Sequence, residues 1–255
     1  SGEAILGSDD KNLARLIENK NKNFFTYGIK KGVLRAEDIN LLPFGSYFTV
    51  TYKNKVLGEM NLQIPGVYNI KNALAAVATG MYIGLSFREM KKILEEFRGV
   101  KRRFEKKGLI DDILVIDDYA HHPTEIKETL KAADNTGYER VITIFQPHRY
   151  TRTKYLMKDL SRSFQKADQV IITDIYGAGE ESIPGVNARR LADLIAEISK
   201  NKDQEVSYFN NFEEIVDFLE KILKPRDLVL TIGAGDVYKV GEKLLKRKEE
   251  KLLRR

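Results

Sequence analysis

The chain contains no cysteine. That excludes a disulfide framework, a thiolate metal site and a cysteine nucleophile, and it fits a reducing, cytoplasmic compartment. Long apolar runs are missing too: none approaches the roughly 18 residues needed to cross a bilayer, and no charged, then apolar, then small-residue leader opens the sequence. The expectation is a soluble protein, or a soluble piece of one, with no membrane partner. No segment follows the phosphate-loop pattern of Gly, four residues, Gly-Lys and Ser or Thr, and no pair of histidines stands four apart on a helix as zinc sites use. Nucleotide phosphates, if bound, are gripped elsewhere, and no dedicated metal site is expected in this chain.

Charge of one sign is scarce once its location is considered. The formal net charge is +6, but Lys243 to Arg255 hold seven Lys or Arg against two Glu, so the rest of the chain carries only +1. This argues against a phosphate-binding face for nucleic acid and for a basic, solvated helix end, where cations complement the helix dipole. What is present is ample material for a core: 42% apolar and 31% charged residues in 255. At about 150 residues per domain, that length gives one to two domains.

Two textures divide the chain. Up to about Gly66 the pattern is mixed, with a short helical stretch at Leu13 to Glu18 and alternation at Tyr47 to Tyr52 and Val56 to Leu62 about a polar break, which predicts a β-hairpin. Pro65-Gly66 marks a turn before an alanine-rich helix, Asn69 to Gly80, and Ser86 with Glu89 has capping-box spacing for a helix to Phe97. After Gly108, apolar runs at Leu114 to Ile116, Val141 to Phe145, Val170 to Ile172 and Leu228 to Ile232, with a weaker one at Val206 to Phe209, alternate with helical patterns. These helices are Thr124 to Ala133, Tyr150 to Lys166, Ala188 to Ser199, Phe212 to Leu223 and Val237 to Lys248. Strand then helix, repeated, predicts an α/β fold with a mostly parallel sheet covered on both faces, and ligands gather at the carboxyl ends of such strands.

The three histidines of the chain, His121, His122 and His148, all lie just past predicted strand ends. Asp117-Asp118-Tyr119-Ala120-His121-His122 follows one strand and Gln146-Pro147-His148-Arg149-Tyr150-Thr151-Arg152 the next. Since consecutive parallel strands often neighbour one another, the two loops are expected to face a common crevice. Guanidinium forks grip carboxylates or phosphates, and the spacing of Arg149 and Arg152 at a helix start would set both on one face beside the positive end of the dipole. Gly99 to Glu105 reads either as a charged, solvated linker or as a hinge that brings an arginine to phosphates. Gly233-Ala234-Gly235-Asp236 is a fair anion nest, and Tyr176 to Glu180 is a similar loop.

Taken together, IPGVYNIKNALAA at 64–76, GVKRRF at 99–104, DDYAHHPTE at 117–125, FQPHRYTRT at 145–153 and GAGD at 233–236 resemble the Mur ligases. The histidine-arginine loop favours the branch that adds alanine over the others, including the ligase that recycles a murein tripeptide. The resemblance implies residues 1–104 as the later part of a central α/β ATPase domain with the hinge. It implies residues 105–255 as a carboxyl-terminal Rossmann-like domain that binds the amino acid and part of ATP. The family's amino-terminal uridine-nucleotide domain, its phosphate loop and its central metal ligands have no counterpart here, so the chain is expected to be inactive by itself. The implied substrates are UDP-N-acetylmuramate, L-alanine and ATP, with Mg2+ held mainly by residues outside this chain. By position, Asn69 and Asn72 match residues near the adenine, Arg103 one that reaches the nucleotide phosphates and Asp118 one that contacts the ribose. Tyr119, His121, His148, Arg149 and Arg152 match residues around the incoming amino acid, and either His121 or His148 is a candidate base for its amine. Two other readings stand beside this one. The first is a binding module without catalysis. The second is a Rossmann-type oxidoreductase, which the absence of Gly-x-Gly-x-x-Gly after the first strand of the regular region weakens.

Overall fold

The computed structural model describes residues 4–18, 24–200 and 203–253. The chain forms two compact units, residues 1–99 and 100–255.

In the first unit a five-stranded sheet runs in order β1 (Ala4–Gly7), β2 (Phe24–Gly28), β3 (Leu34–Leu42), β4 (Gly45–Tyr52), β5 (Lys55–Leu62). The first three strands are parallel and the last three antiparallel. The expected hairpin is β4 and β5, joined through Lys53 and Asn54, both with positive φ. Helices α1 (Lys11–Ile17), α2 (Val67–Tyr82) and α3 (Phe87–Glu96) complete the unit. Ser86 caps α3 in a full capping box with Glu89, as its spacing predicts. Leu34, Phe48, Val50 and Met60 from the sheet meet Ile70, Leu74 and Val77 of α2 in the core. Strands β1 and β2 escape the alternation rule because they are only four and five residues long and do not alternate, and β3 because charged residues and a bulge interrupt it.

The second unit carries a six-stranded sheet in order β10 (Glu205–Tyr208), β9 (Gln169–Ile172), β8 (Arg140–Phe145), β11 (Asp227–Ile232), β7 (Ile113–Asp118), β6 (Glu105–Ile110). Every pairing is parallel except β6 with β7. Side chains alternate across the sheet: Leu114, Ile116, Leu228 and Leu230 pack under α4 (Pro123–Asp134), α5 (Tyr150–Ser161) and α6 (Ala188–Ser199). Ile113, Val115 and Val229 pack under α7 (Phe212–Ile222) and α8 (Tyr238–Leu253). Burial on both faces explains why these strands read as short continuous apolar runs.

Three details depart from expectation. Helix α5 stops at Ser161 rather than reaching Lys166, because the Ser163 hydroxyl turns back to the Asp159 carbonyl and Phe164 drops into the core. Helix α8 runs on to Leu253, and its basic end is not simply solvated. Lys243, Arg247 and Lys251 pair with Glu213, Asp217 and Glu220 along α7, while residues 254 and 255 lie outside the described part. Finally, β11 lies between β7 and β8, so the two histidine-bearing strands are not neighbours. Register nevertheless sets their ends level, since Ile232 stands opposite both Asp118 and Phe145, and Phe145 opposite Ile172. Four loops therefore leave the sheet at one height.

Truncating the central strand tests this arrangement: Leu230→Ala is expected to cost about 2–5 kcal/mol, read by denaturant unfolding of the variant against the parent.

Candidate functional site

At the end of β7 two adjacent carboxylates are buried, Asp117 with 0% and Asp118 with 3% of their surface exposed. Asp117 accepts from Arg102 Nε at 2.9 Å and from Thr231 Oγ1 at 2.7 Å. Burial pushes its carboxyl above the ordinary range against the pull of both partners. Asp118 accepts the backbone N–H of Phe104 at 2.7 Å and of Ala120 at 2.8 Å, and burial raises it as well. One carboxylate thus anchors the 102–104 segment by a cation and the other by its backbone. Arg102 is consumed in this structural role, whereas Arg103 is exposed, its guanidinium 5.8 Å from the centre of the Tyr119 ring.

The next turn separates two adjacent histidines into different tasks. His122 caps α4, accepting from Thr124 N at 3.3 Å, while Glu125 closes the capping box. His121 turns the other way. Its Nδ1 lies 3.0 Å from the Tyr119 carbonyl and 3.6 Å from Glu125, whose carboxylate also accepts from the His121 backbone N–H at 3.0 Å. An acceptor facing Nδ1 places the proton there and leaves the Nε2 lone pair outward. Glu125 accordingly sits below the ordinary range: burial raises it, but the His121 and His122 backbone N–H groups and the His121 charge outweigh that.

His148 has the opposite arrangement. Its Nδ1 meets Arg152 Nη1 at 3.1 Å, and because a guanidinium only donates, Nδ1 is the acceptor and Nε2 carries the proton in the neutral ring. The two imidazoles are 6.1 Å apart between centroids, with the Tyr176 ring stacked on the far side of His148 at 5.6 Å. Burial, then Arg152, His121 and Arg149, hold the His148 pKa below 6.5.

Arg149 and Arg152 do not share a helix face. Arg149 is the residue before α5, with φ 69°, because its backbone N–H donates to the Tyr176 carbonyl at 2.8 Å. Its guanidinium leans on Glu180 at 3.9 Å, while Arg152 turns to His148. Glu180 also takes the Thr151 N–H at 2.9 Å and hydroxyl at 2.7 Å, so the third loop is fastened to the second. Those bonds, the backbone one first, hold Glu180 below the usual carboxylate range.

The Gly233-to-Asp236 turn is an anion nest only in part, with the Ala234 and Gly235 N–H groups left without a partner among the described residues. Gln146 Oε1 already accepts from Asp236 N at 2.9 Å and Val237 N at 3.2 Å, and Gly233 N donates to the Asp118 carbonyl. Glycine is needed at Gly235 for close approach, since a Cβ there would fall 2.2 Å from Gln146 Oε1 and 2.8 Å from Tyr176. Gln146, Arg102, Tyr176 and Glu180 lie in segments that the sequence singles out, but their individual roles escape a reading by motif because each acts through contacts across distant loops. Among the described residues no group of three or more His, Asp or Glu converges to hold a metal ion. Asn69 and Asn72 belong to the first unit, on the first turns of α2, where Asn69 Nδ2 donates to the Pro65 carbonyl at 2.7 Å and Asn72 Nδ2 to Asn69 Oδ1 at 3.3 Å.

This is an α/β protein that presents imidazoles and guanidinium groups at the carboxyl ends of a mostly parallel sheet. The model of the Mur ligase glutamate ligase domain matches residues 102–235 and that of the Mur ligase middle domain residues 1–80, and the chain belongs to the Mur ligase family. It is 44% identical over 252 residues to a UDP-N-acetylmuramate–L-alanine ligase of Acetivibrio thermocellus, covering 98% of this chain and 53% of that protein. With the ligase of the same name from Dictyoglomus turgidum, identity is 45% over 248 residues, covering 96% and 53%. The solved UDP-N-acetylmuramate-alanine ligase of Thermotoga maritima superposes with TM-score 0.76 at 26% identity, over 98% of this chain and 52% of that one. A MurF ligase of the same organism, solved with ADP, shares the fold at TM-score 0.73 and 17% identity, over 98% and 55%. The chain spans about half the length of the curated relatives it matches.

Two measurements probe the site. Gln146→Leu leaves two N–H groups of the turn without their acceptor and is expected to cost about 2 kcal/mol in denaturant unfolding. In an NMR titration His148 ionises below 6.5, and Arg152→Ala raises its midpoint without restoring 6.5, because burial, the larger cause, remains. The unfolded chain binds this proton first, so the His148 contribution to stability is whole above 6.5 and is lost as pH falls from there toward the folded-state pKa.

Proposed function

We propose that this chain is the amino-acid-binding half of a cytoplasmic, ATP-dependent ligase that joins L-alanine to the carboxylate of UDP-N-acetylmuramate in peptidoglycan precursor synthesis. The observation that carries the reading is the pair of imidazoles of opposite hydrogen-bonding sense, 6.1 Å apart, beside Arg149 and Arg152. A free amino acid brings a carboxylate and an ammonium group. Two guanidinium groups suit the first, and an imidazole with an open lone pair suits a proton of the second.

In this reading the muramate carboxylate attacks the γ-phosphate of ATP, releasing ADP and leaving an acyl phosphate. The alanine ammonium loses a proton, its amine attacks the acyl carbon, and collapse of the tetrahedral intermediate expels phosphate as the amide forms. His121 is the better candidate of the two for the base. Its Nε2 lone pair has no partner among the described residues, whereas the Nδ1 lone pair of His148 is occupied by Arg152 and its Nε2–H is a donor. His148 then orients the carboxylate or the acyl oxygen as a neutral donor, and Tyr119 walls the amine end.

Nucleotide contacts are assigned unit by unit: Asn69 and Asn72 toward the adenine, Arg103 toward the phosphates and Asp118 toward the ribose. Asp118 would use lone-pair capacity left over from its bonds to the Phe104 and Ala120 N–H groups and to Thr129. Mg2+ in this reading is held mainly by residues outside this chain. The sequence has no phosphate loop, so the chain alone is assigned binding rather than turnover.

Calorimetric titration of L-alanine and a non-hydrolysable ATP analogue, separately and together, into the parent and an Arg149→Ala, Arg152→Ala double variant tests the reading. Alanine binding to the parent that disappears in the double variant is the expected result; alanine binding that survives in it would overturn the assignment. In a full-length ligase carrying this sequence, His121→Ala is expected to lower turnover about 100-fold or more. Full turnover in His121→Ala with its loss in His148→Ala would reverse the two roles.

A further inference from the structure

We propose that Arg102 is a positioning residue, which fixes the orientation and tautomer of His121 by clamping Tyr119. The idea rests on the reading of His121 as the proton acceptor and extends it to a residue outside the strand-end loops.

Arg102 uses its whole guanidinium. Nε donates to Asp117, Nη1 to the Gly235 carbonyl at 3.0 Å and Nη2 to the Gly233 carbonyl at 2.6 Å. Its two faces are covered by aromatic rings, Tyr119 at 4.9 Å and Tyr238 at 4.8 Å. The fork therefore joins the end of β7 to the turn after β11, and its planar faces trap the ring of Tyr119. Its backbone acts on the same residue, for the Arg102 carbonyl accepts the Tyr119 N–H at 2.7 Å.

Tyr119 is thus fixed by face and by backbone, and it is Tyr119 that sets His121. Its carbonyl receives Nδ1–H, and its ring meets the His121 ring edge to face at 5.6 Å. Moving Tyr119 removes the acceptor that holds the proton on Nδ1, so the Nε2 lone pair is no longer kept outward. Lysine cannot replace the clamp, having neither the planar fork nor flat faces to stack. The backbone around Arg102 supports the same view: Arg102 and Phe104 both take left-handed φ, 59° and 49°, a conformation that side chains avoid unless their surroundings impose it. Here Glu105, which accepts the Arg102 N–H, and Asp118 impose it.

With three histidines in the chain, ring 15N–1H correlation spectra recorded at a pH where the rings are neutral resolve each tautomer. The parent is expected to show His121 as Nδ1–H and His148 as Nε2–H. In Arg102→Lys the His121 signals move toward the Nε2–H form while His148 keeps its pattern. Arg140→Lys is the control, since that residue also pairs with a buried aspartate, Asp227, at the opposite end of the sheet. It is expected to lower the melting temperature without moving His121. Should Arg102→Lys fail to fold, Tyr238→Leu, which removes one of the stacked rings, is expected to shift His121 in the same direction by a smaller amount. Unchanged His121 signals in the folded variant, or an equal shift in the Arg140→Lys control, would overturn the proposal. These spectra need no ligand, so failure of the alanine-ligase reading, seen as no alanine binding by the parent, is a separate result.

Discussion

Asp117 has no access to water, and much of the carboxyl end of the second unit follows from how its charge is met. An isolated buried carboxylate costs several kcal/mol even after the protein relaxes around it. The strand that carries it cannot supply a cation, because β7 is apolar up to that point. Arg102 does so from a connector fifteen residues earlier in sequence, and Thr231 completes the set from the neighbouring strand. Satisfying one charge therefore fixes the path of residues 100–104, the end of β7 and the turn after β11 at once. Asp118 locks the same segment through its backbone, which leaves Arg103 as the cation that faces outward.

The turn after β11 shows the same economy. Glycine allows the close approach, and Gln146 and Arg102 approach from two sides, so the Gly233 and Gly235 carbonyls and the Asp236 and Val237 N–H groups are spent on structure. Electrostatics at the site consequently depend on individually aimed groups, and each is aimed by a neighbour: Arg152 by His148, Arg149 by Glu180, His121 by Tyr119.

Most of the second unit was legible in advance because burial on both faces turns its strands into short continuous apolar runs. The first unit was less so. Its strands β1 to β3 lack a clean period, and parallel partners such as β1 and β2 are set by tertiary pairing rather than by local pattern. The histidine loops were legible as residues and as a position, at strand ends, yet the argument that joined them was wrong in one step. Their strands are separated by β11, and the loops meet because register levels the strand ends. Arg149 defeats a helical-face argument for a related reason. Spacing predicts a shared face only for residues that are both helical, and a backbone bond to Tyr176 holds Arg149 outside the helix.

The charges that suit this site to a carboxylate also govern its imidazoles. Arg149 and Arg152 raise the local positive potential, which draws in an anion and at the same time disfavours a second proton on His148. His121, its ring centroid 6.1 Å from that of His148, opposes protonation of His148 by the same electrostatics. A neutral imidazole is useful only if its lone pair points where the proton is, and here the neighbours decide that. A carbonyl turns the lone pair of His121 outward, and a guanidinium consumes that of His148. Identical side chains past two different strand ends thereby acquire different chemistry, one as acceptor and one as donor, from which atom of the backbone or of an arginine happens to face Nδ1.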